Sequence, residues 1–78
     1  MKKNQFNIGD TITILQKPQI WSSELSNNNP LRLEYPWTGI IIDLRQTDYG
    51  LSGLINDYGF AMGEIKHYTL NQNIYEIY

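Results

Sequence analysis

"TGIIIDLRQTDYGLSGLINDYGFAM", residues 38–62, decides the fold. Turn chemistry cuts this stretch twice. The first cut is "QTDYG" at 46–50, where Asp48 and Gly50 supply the turn, and the second is "NDYG" at 56–59. The runs between the cuts are short and rich in β-branched and aromatic residues. "TGIIIDLR" (38–45), "LSGLIN" (51–56) and "YGFAM" (58–62) therefore read as three strands of an antiparallel meander. Strict alternation in the first run puts Ile40, Ile42 and Leu44 on one face and Ile41, Asp43 and Arg45 on the other. That pattern reads as one buried apolar face and one mixed face. Gly53 inside the second run marks a bulge or a close backbone approach.

Toward the N-terminus, "FNIGD" (6–10) turns at Gly9-Asp10 and leads into "TITIL" (11–15). There Thr11, Thr13 and Leu15 point one way and Ile12 and Ile14 the other. Phe6 and Ile8 are placed to cover one end of the core. Residues 16–36 form a long irregular excursion. It holds all three prolines (Pro18, Pro30, Pro36) and the triplet Asn27-Asn28-Asn29, and "IWSSEL" (20–25) leaves room for one helical turn at most. Loops of this length inside small domains are usually functional or disordered. Toward the C-terminus, "GEI" (63–65) reads as a 3₁₀ turn and "KHYTL" (66–70) as an extended run. "NIYEIY" (73–78) reads as an edge strand or a tyrosine-rich tail.

The 78 residues thus describe a single all-β domain, 1–78, of five or six short strands with one long loop after the first strand. Its core spans about 6–70, and residues 1–5 and 71–78 read as flexible ends or an edge strand. Eleven isoleucines and six tyrosines support the strand count. A sandwich of immunoglobulin size needs more chain, so a small, partly open barrel is the expected way to limit free edges.

Composition narrows the function classes. There is no cysteine, hence no disulfide or thiolate metal site. The opening "MKKNQFNIGD" lacks an apolar run after its lysines, and no uninterrupted apolar run exceeds three residues, as in Ile40-Ile41-Ile42. Neither a secretory signal nor a membrane span is expected, and a soluble, cytoplasmic protein is. The formal net charge is -2, with Lys2, Lys3, Lys17, Arg32, Arg45 and Lys66 scattered along the chain. Nucleic-acid binding rests on clustered cations, so nucleic acid is an unexpected partner here, and an anionic membrane likewise.

Catalytic constellations are missing from the sequence. His67 is the single histidine, reads as a half-exposed strand residue, and has Glu64 in reach only if a helical turn joins them. Asp10, Asp48 and Asp57 sit in turns, where carboxylates cap backbone N–H groups, and Asp43 lies on a mixed strand face. No calcium loop, phosphate cradle or nucleophile elbow occurs, so no cofactor, metal or enzymatic role is expected.

Gly9-Asp10 with Ile12 and Ile14, then Gly39-Ile40-Ile41, then Tyr58-Gly59-Phe60, then Glu64-Ile65 form an order of features that resembles an SH3-like barrel of the bacterial kind. The resemblance covers about residues 6–70 and lies at the level of fold. The spacing is also similar to that of the small SH3-like accessory subunits of photosystem I and of ferredoxin–thioredoxin reductase. The resemblance implies a docking or stabilising subunit without chemistry of its own. The motif by which eukaryotic signalling SH3 domains bind proline-rich peptides is absent.

Five aromatic residues are the candidate binding set: Trp21, Tyr35, Trp37, Tyr49 and Tyr58. They flank or lie in the long loop and the meander turns, where rings on a rigid scaffold commonly anchor partners. Pro36 stiffens "YPW". Trp37 directly precedes a core strand and reads as a core plug ahead of a binding anchor. Ile20, beside Trp21, reads as the core contact of the long loop. Trp21, with Tyr49 and Tyr58, is then the better candidate for a surface that meets something. The leading expectation is a non-enzymatic protein-interaction or accessory-subunit module that docks through its long first loop and meander turns. Its partner would be a protein, a larger complex or a second copy. The alternative is a small-molecule or nucleic-acid binder using the barrel mouth.

Overall fold

The alternation in "TITI" builds β1, Thr11–Ile14, whose Ile12 and Ile14 are fully buried. A turn precedes it: the Asp10 N–H donates to the Asn7 carbonyl at 3.1 Å, and Gly9 takes the left-handed φ of 103° that glycine tolerates. The computed structural model describes residues 6–71. Over this range the chain is all-β, with five antiparallel strands in one open sheet. The others are β2 (Trp37–Thr47), β3 (Gly50–Ile55), β4 (Tyr58–Ala61) and β5 (Tyr68–Asn71). They lie in the order β4-β3-β2-β1-β5. The long loop joins β1 to β2, and a 3₁₀ turn, Met62–Glu64, stands between β4 and β5. "NIYEIY" falls outside the described residues. Among those described, no helix is long and apolar enough to cross a membrane.

The meander expected from 38–62 is present, with both turns two residues long. Thr47 pairs with Gly50 across Asp48-Tyr49, and Ile55 with Tyr58 across Asn56-Asp57. Gly50 takes φ 124° and Asn56 φ 52°, the second a conformation that asparagine adopts more readily than most residues. The Thr47 hydroxyl donates to the Gly50 carbonyl at 2.7 Å and accepts from the Tyr49 N–H at 3.1 Å, which locks the first turn.

The inward face of β2 is not the one strict alternation predicts. Ile41 is fully buried, while Ile40 and Ile42 are 47% and 46% exposed. The cause is a β-bulge. Ile41 stands opposite Ile55 but Asp43 opposite Leu54, so Ile42 is an extra residue on the β2 side. A one-residue insertion exchanges the two faces of a strand. Gly39 and Ile41 therefore face inward before the bulge and Leu44 packs inward after it. Gly53 is regularly paired, and its close neighbour is Met62, whose Sδ lies 2.4 Å from where a Cβ would stand. The bulge lies in the partner strand rather than at Gly53, and what comes close to Gly53 is the Met62 side chain rather than a backbone.

The two halves of β2 serve different partners. Residues 37–40 pair with β1, and 41–47 pair with β3. One long, bulged strand so carries the β1–β5 pair on one side and the β3–β4 hairpin on the other. The core between them is Ile12, Ile14, Ile41, Ile55, Phe60, Met62 and Ile65. Burial of each large side chain contributes about 1.5–3 kcal/mol. Phe6 packs against this core with its ring 5.3 Å from that of Tyr68, whereas Ile8 is 60% exposed on the turn before β1.

Candidate functional site

The long loop is fastened to the body along its length. At its start the Leu15 N–H donates to the His67 carbonyl at 2.8 Å, and Pro18 is buried. In the middle, the Ser22 hydroxyl shares a 2.8 Å hydrogen bond with that of buried Ser52 on β3. Further on, the Ser26 hydroxyl and the Asn28 amide both donate to the Asp57 carbonyl, at 2.7 and 2.8 Å. The Gly59 N–H on β4 donates to the Asn28 carbonyl at 3.3 Å. Gly59 is needed here because a Cβ would stand 2.1 Å from the Ser22 carbonyl oxygen and 2.8 Å from that of Ser26. The loop ends in a 3₁₀ turn, Pro30–Arg32, which Asn29 caps by accepting from the Leu31 N–H at 2.8 Å. "IWSSEL" makes a bend rather than a helical turn.

This fastening sorts the five candidate aromatics into two groups. Trp37 is half-buried and lies against the core, its ring 5.6 Å from Phe60 in a stacked arrangement and 5.7 Å from Tyr58 edge-on. It also covers Gly39, where a Cβ would stand 2.7 Å from its ring. Tyr58 is thereby part of the same wall and stands apart from Tyr49. Tyr35 is half-buried against the core, and its hydroxyl donates to the Pro30 carbonyl at 2.8 Å. Burial pushes its pKa up to about 12. The Tyr35–Pro36 peptide is cis.

Trp21 and Tyr49 form the second group. They line one open hollow of about 450 Å³ between the long loop, the β2–β3 turn and the Met62–Glu64 turn. Ile20, Leu51 and Ala61 add apolar lining, and Glu24 and Glu64 add carboxylates. Tyr49 stands 95% exposed at the turn tip, while Trp21 is half-buried. Ile20 is not the core contact the sequence suggests: it is 56% exposed, because the Ser22–Ser52 bond holds the segment by its polar groups.

A smaller hollow of about 250 Å³ shares Glu64 with the first. Gln16, Lys17, Pro18 and Gln19 line one side, and Glu64, Lys66 and His67 the other. Two of the scattered cations are therefore neighbours in space. Their sequence separation hides this. The pairing of Ile14 with Tyr68 carries residues just beyond Ile14 alongside those just before Tyr68. His67 lies ahead of β5, exposed, rather than within a strand. Among the described residues no group of His, Cys, Asp and Glu is arranged to hold a metal ion. No family model, curated protein or solved structure matches the chain.

Proposed function

We propose that the chain is a non-enzymatic interaction module on an SH3-like barrel, docking a protein partner in the hollow between its first loop and its β2–β3 turn. The barrel reading is supported by the order β4-β3-β2-β1-β5, the long excursion between β1 and β2, and the 3₁₀ turn before β5. The docking reading is carried by one observation: Trp21 and Tyr49, distant in sequence, line the same open hollow. Large rings on a fastened loop contribute contact area at low ordering cost, as interface anchors do. Trp37, Tyr35 and Tyr58 are spent on the core wall and serve the scaffold.

The test uses W21A and Y49A variants beside the wild type in capture from the source lysate, with thermal melts of all three. The expected result is a partner retained by wild type and lost by both variants, whose melts match wild type. Equal capture by all three proteins would remove the hollow from the account. Unfolding by W21A would make that ring a scaffold residue instead.

A further inference from the structure

We infer that the docking groove selects an acidic peptide segment, with its carboxylates at the Lys17–Lys66–His67 end and an apolar or aromatic side chain at the Trp21–Tyr49 end. This rests on the docking reading above and adds the chemistry of the partner. The two hollows share Glu64, and consecutive loop residues line them, 16–19 the cationic one and 20–24 the apolar one. The whole chain is acidic, with a formal net charge of -2. Yet two of the four lysines and arginines among the described residues, and the only histidine of the chain, line the smaller hollow. Its charged lining holds two lysines against one carboxylate residue, Glu64, and Gln16 and Gln19 add neutral polar groups. Such an end attracts carboxylates and repels basic side chains, which gives orientation as well as selectivity.

A nucleic acid would also bring negative charge and stackable rings. It would, however, have to run its phosphates past Glu24 and Glu64, which line the aromatic hollow. A peptide can confine its charge to one end, and the apolar end then receives a neutral side chain.

The full chain, immobilised, is offered a random peptide library at physiological salt. Enriched clones are remade as synthetic peptides and titrated against wild type, W21A and a K17E/K66E double variant. The expected result is enrichment of Asp or Glu beside an aromatic or aliphatic residue. Binding should weaken about tenfold in K17E/K66E, equivalent to about 1.4 kcal/mol, and be lost in W21A. Enrichment of basic or uncharged peptides that W21A still abolishes would overturn the acidic selectivity and leave the docking groove standing. No enrichment over bare matrix would overturn both. Retention of a short oligothymidylate as tight as the best peptide would overturn the choice of a peptide. Should the double variant fail to melt like wild type, K17Q and K66Q tested singly replace it, each expected to weaken acidic peptides about threefold.

Discussion

Tyr35 shows how one side chain on the loop reports on the fold. Its hydroxyl donates to the Pro30 carbonyl and sits against the core, and burial raises its pKa from 10.0 to about 12. The fold therefore holds the neutral phenol, which is the form able to donate. Above about pH 10 the unfolded chain releases this proton first, so the contribution is whole below that pH and is lost as pH rises through about 12. Y35F removes one hydrogen bond and is expected to cost about 1 kcal/mol at neutral pH. The deficit should narrow between those two pH values, since the variant has no phenol there to ionise. Urea unfolding at a series of alkaline pH values checks this, and curves that stay parallel would contradict it. Asn56 works at the same scale. Its φ of 52° closes the β3–β4 turn, while its N–H donates to the Ile40 carbonyl at 2.9 Å and its Oδ1 accepts from the Ile40 N–H at 3.0 Å. The turn at "NDYG" was legible from residue types; this second use, bridging to β2 beside the bulge, needs the paired strands in view.

At the scale of elements, the first loop behaves as a fastened arm. Its hydrogen bonds to Ser52, Asp57 and Gly59 fix the position of Trp21, and Gly59 admits the loop backbone because it has no side chain. G59A is therefore expected to cost about 1–3 kcal/mol, with a melting temperature lower by about 5–20 °C. Amide exchange should speed up selectively at residues 22–28. G63A is the control, since a Cβ there meets nothing within 4 Å, and its cost should stay within about 0.5 kcal/mol. Equal effects from the two variants would mean that the contact at Gly59 is not tight. The β2 strand shows the limit of reading elements from pattern. Its existence followed from "TGIIIDLR", but its inward face did not, because three consecutive isoleucines fit either face equally well. The bulge at Ile42 decided the matter, and nothing in composition marks a bulge where no glycine stands.

For the whole molecule, the all-β class, the meander, the long loop after the first strand and, one residue later than it stands, the 3₁₀ turn Met62–Glu64 were readable from local signals. Of the groove, the grouping of Trp21 with Tyr49 was expected, though with Tyr58 beside them, and the shared hollow of Lys17 and Lys66 was not. Trp21 and Tyr49 share a hollow because the loop is pinned over β3 and β4, and Lys17 and Lys66 share one because β5 returns beside β1. Long-range pairing creates both, so residues that look scattered along the chain acquire a shared surface. The same topology assigns Trp37 and Tyr58 to the wall beside Phe60, away from the groove. It leaves Thr13, Thr38, Ile40 and Ile42 on the outward side of β1 and β2, outside the set of residues that line the groove.

That separation permits a direct measurement. The ¹⁵N-labelled protein is titrated with the tightest acidic peptide from the selection, and amide shifts are followed residue by residue. The account predicts perturbations gathered at 16–24, 47–52 and 61–67, largest near Trp21, Tyr49 and Lys66. Perturbations centred instead on Thr13, Thr38, Ile40 and Ile42 would contradict it.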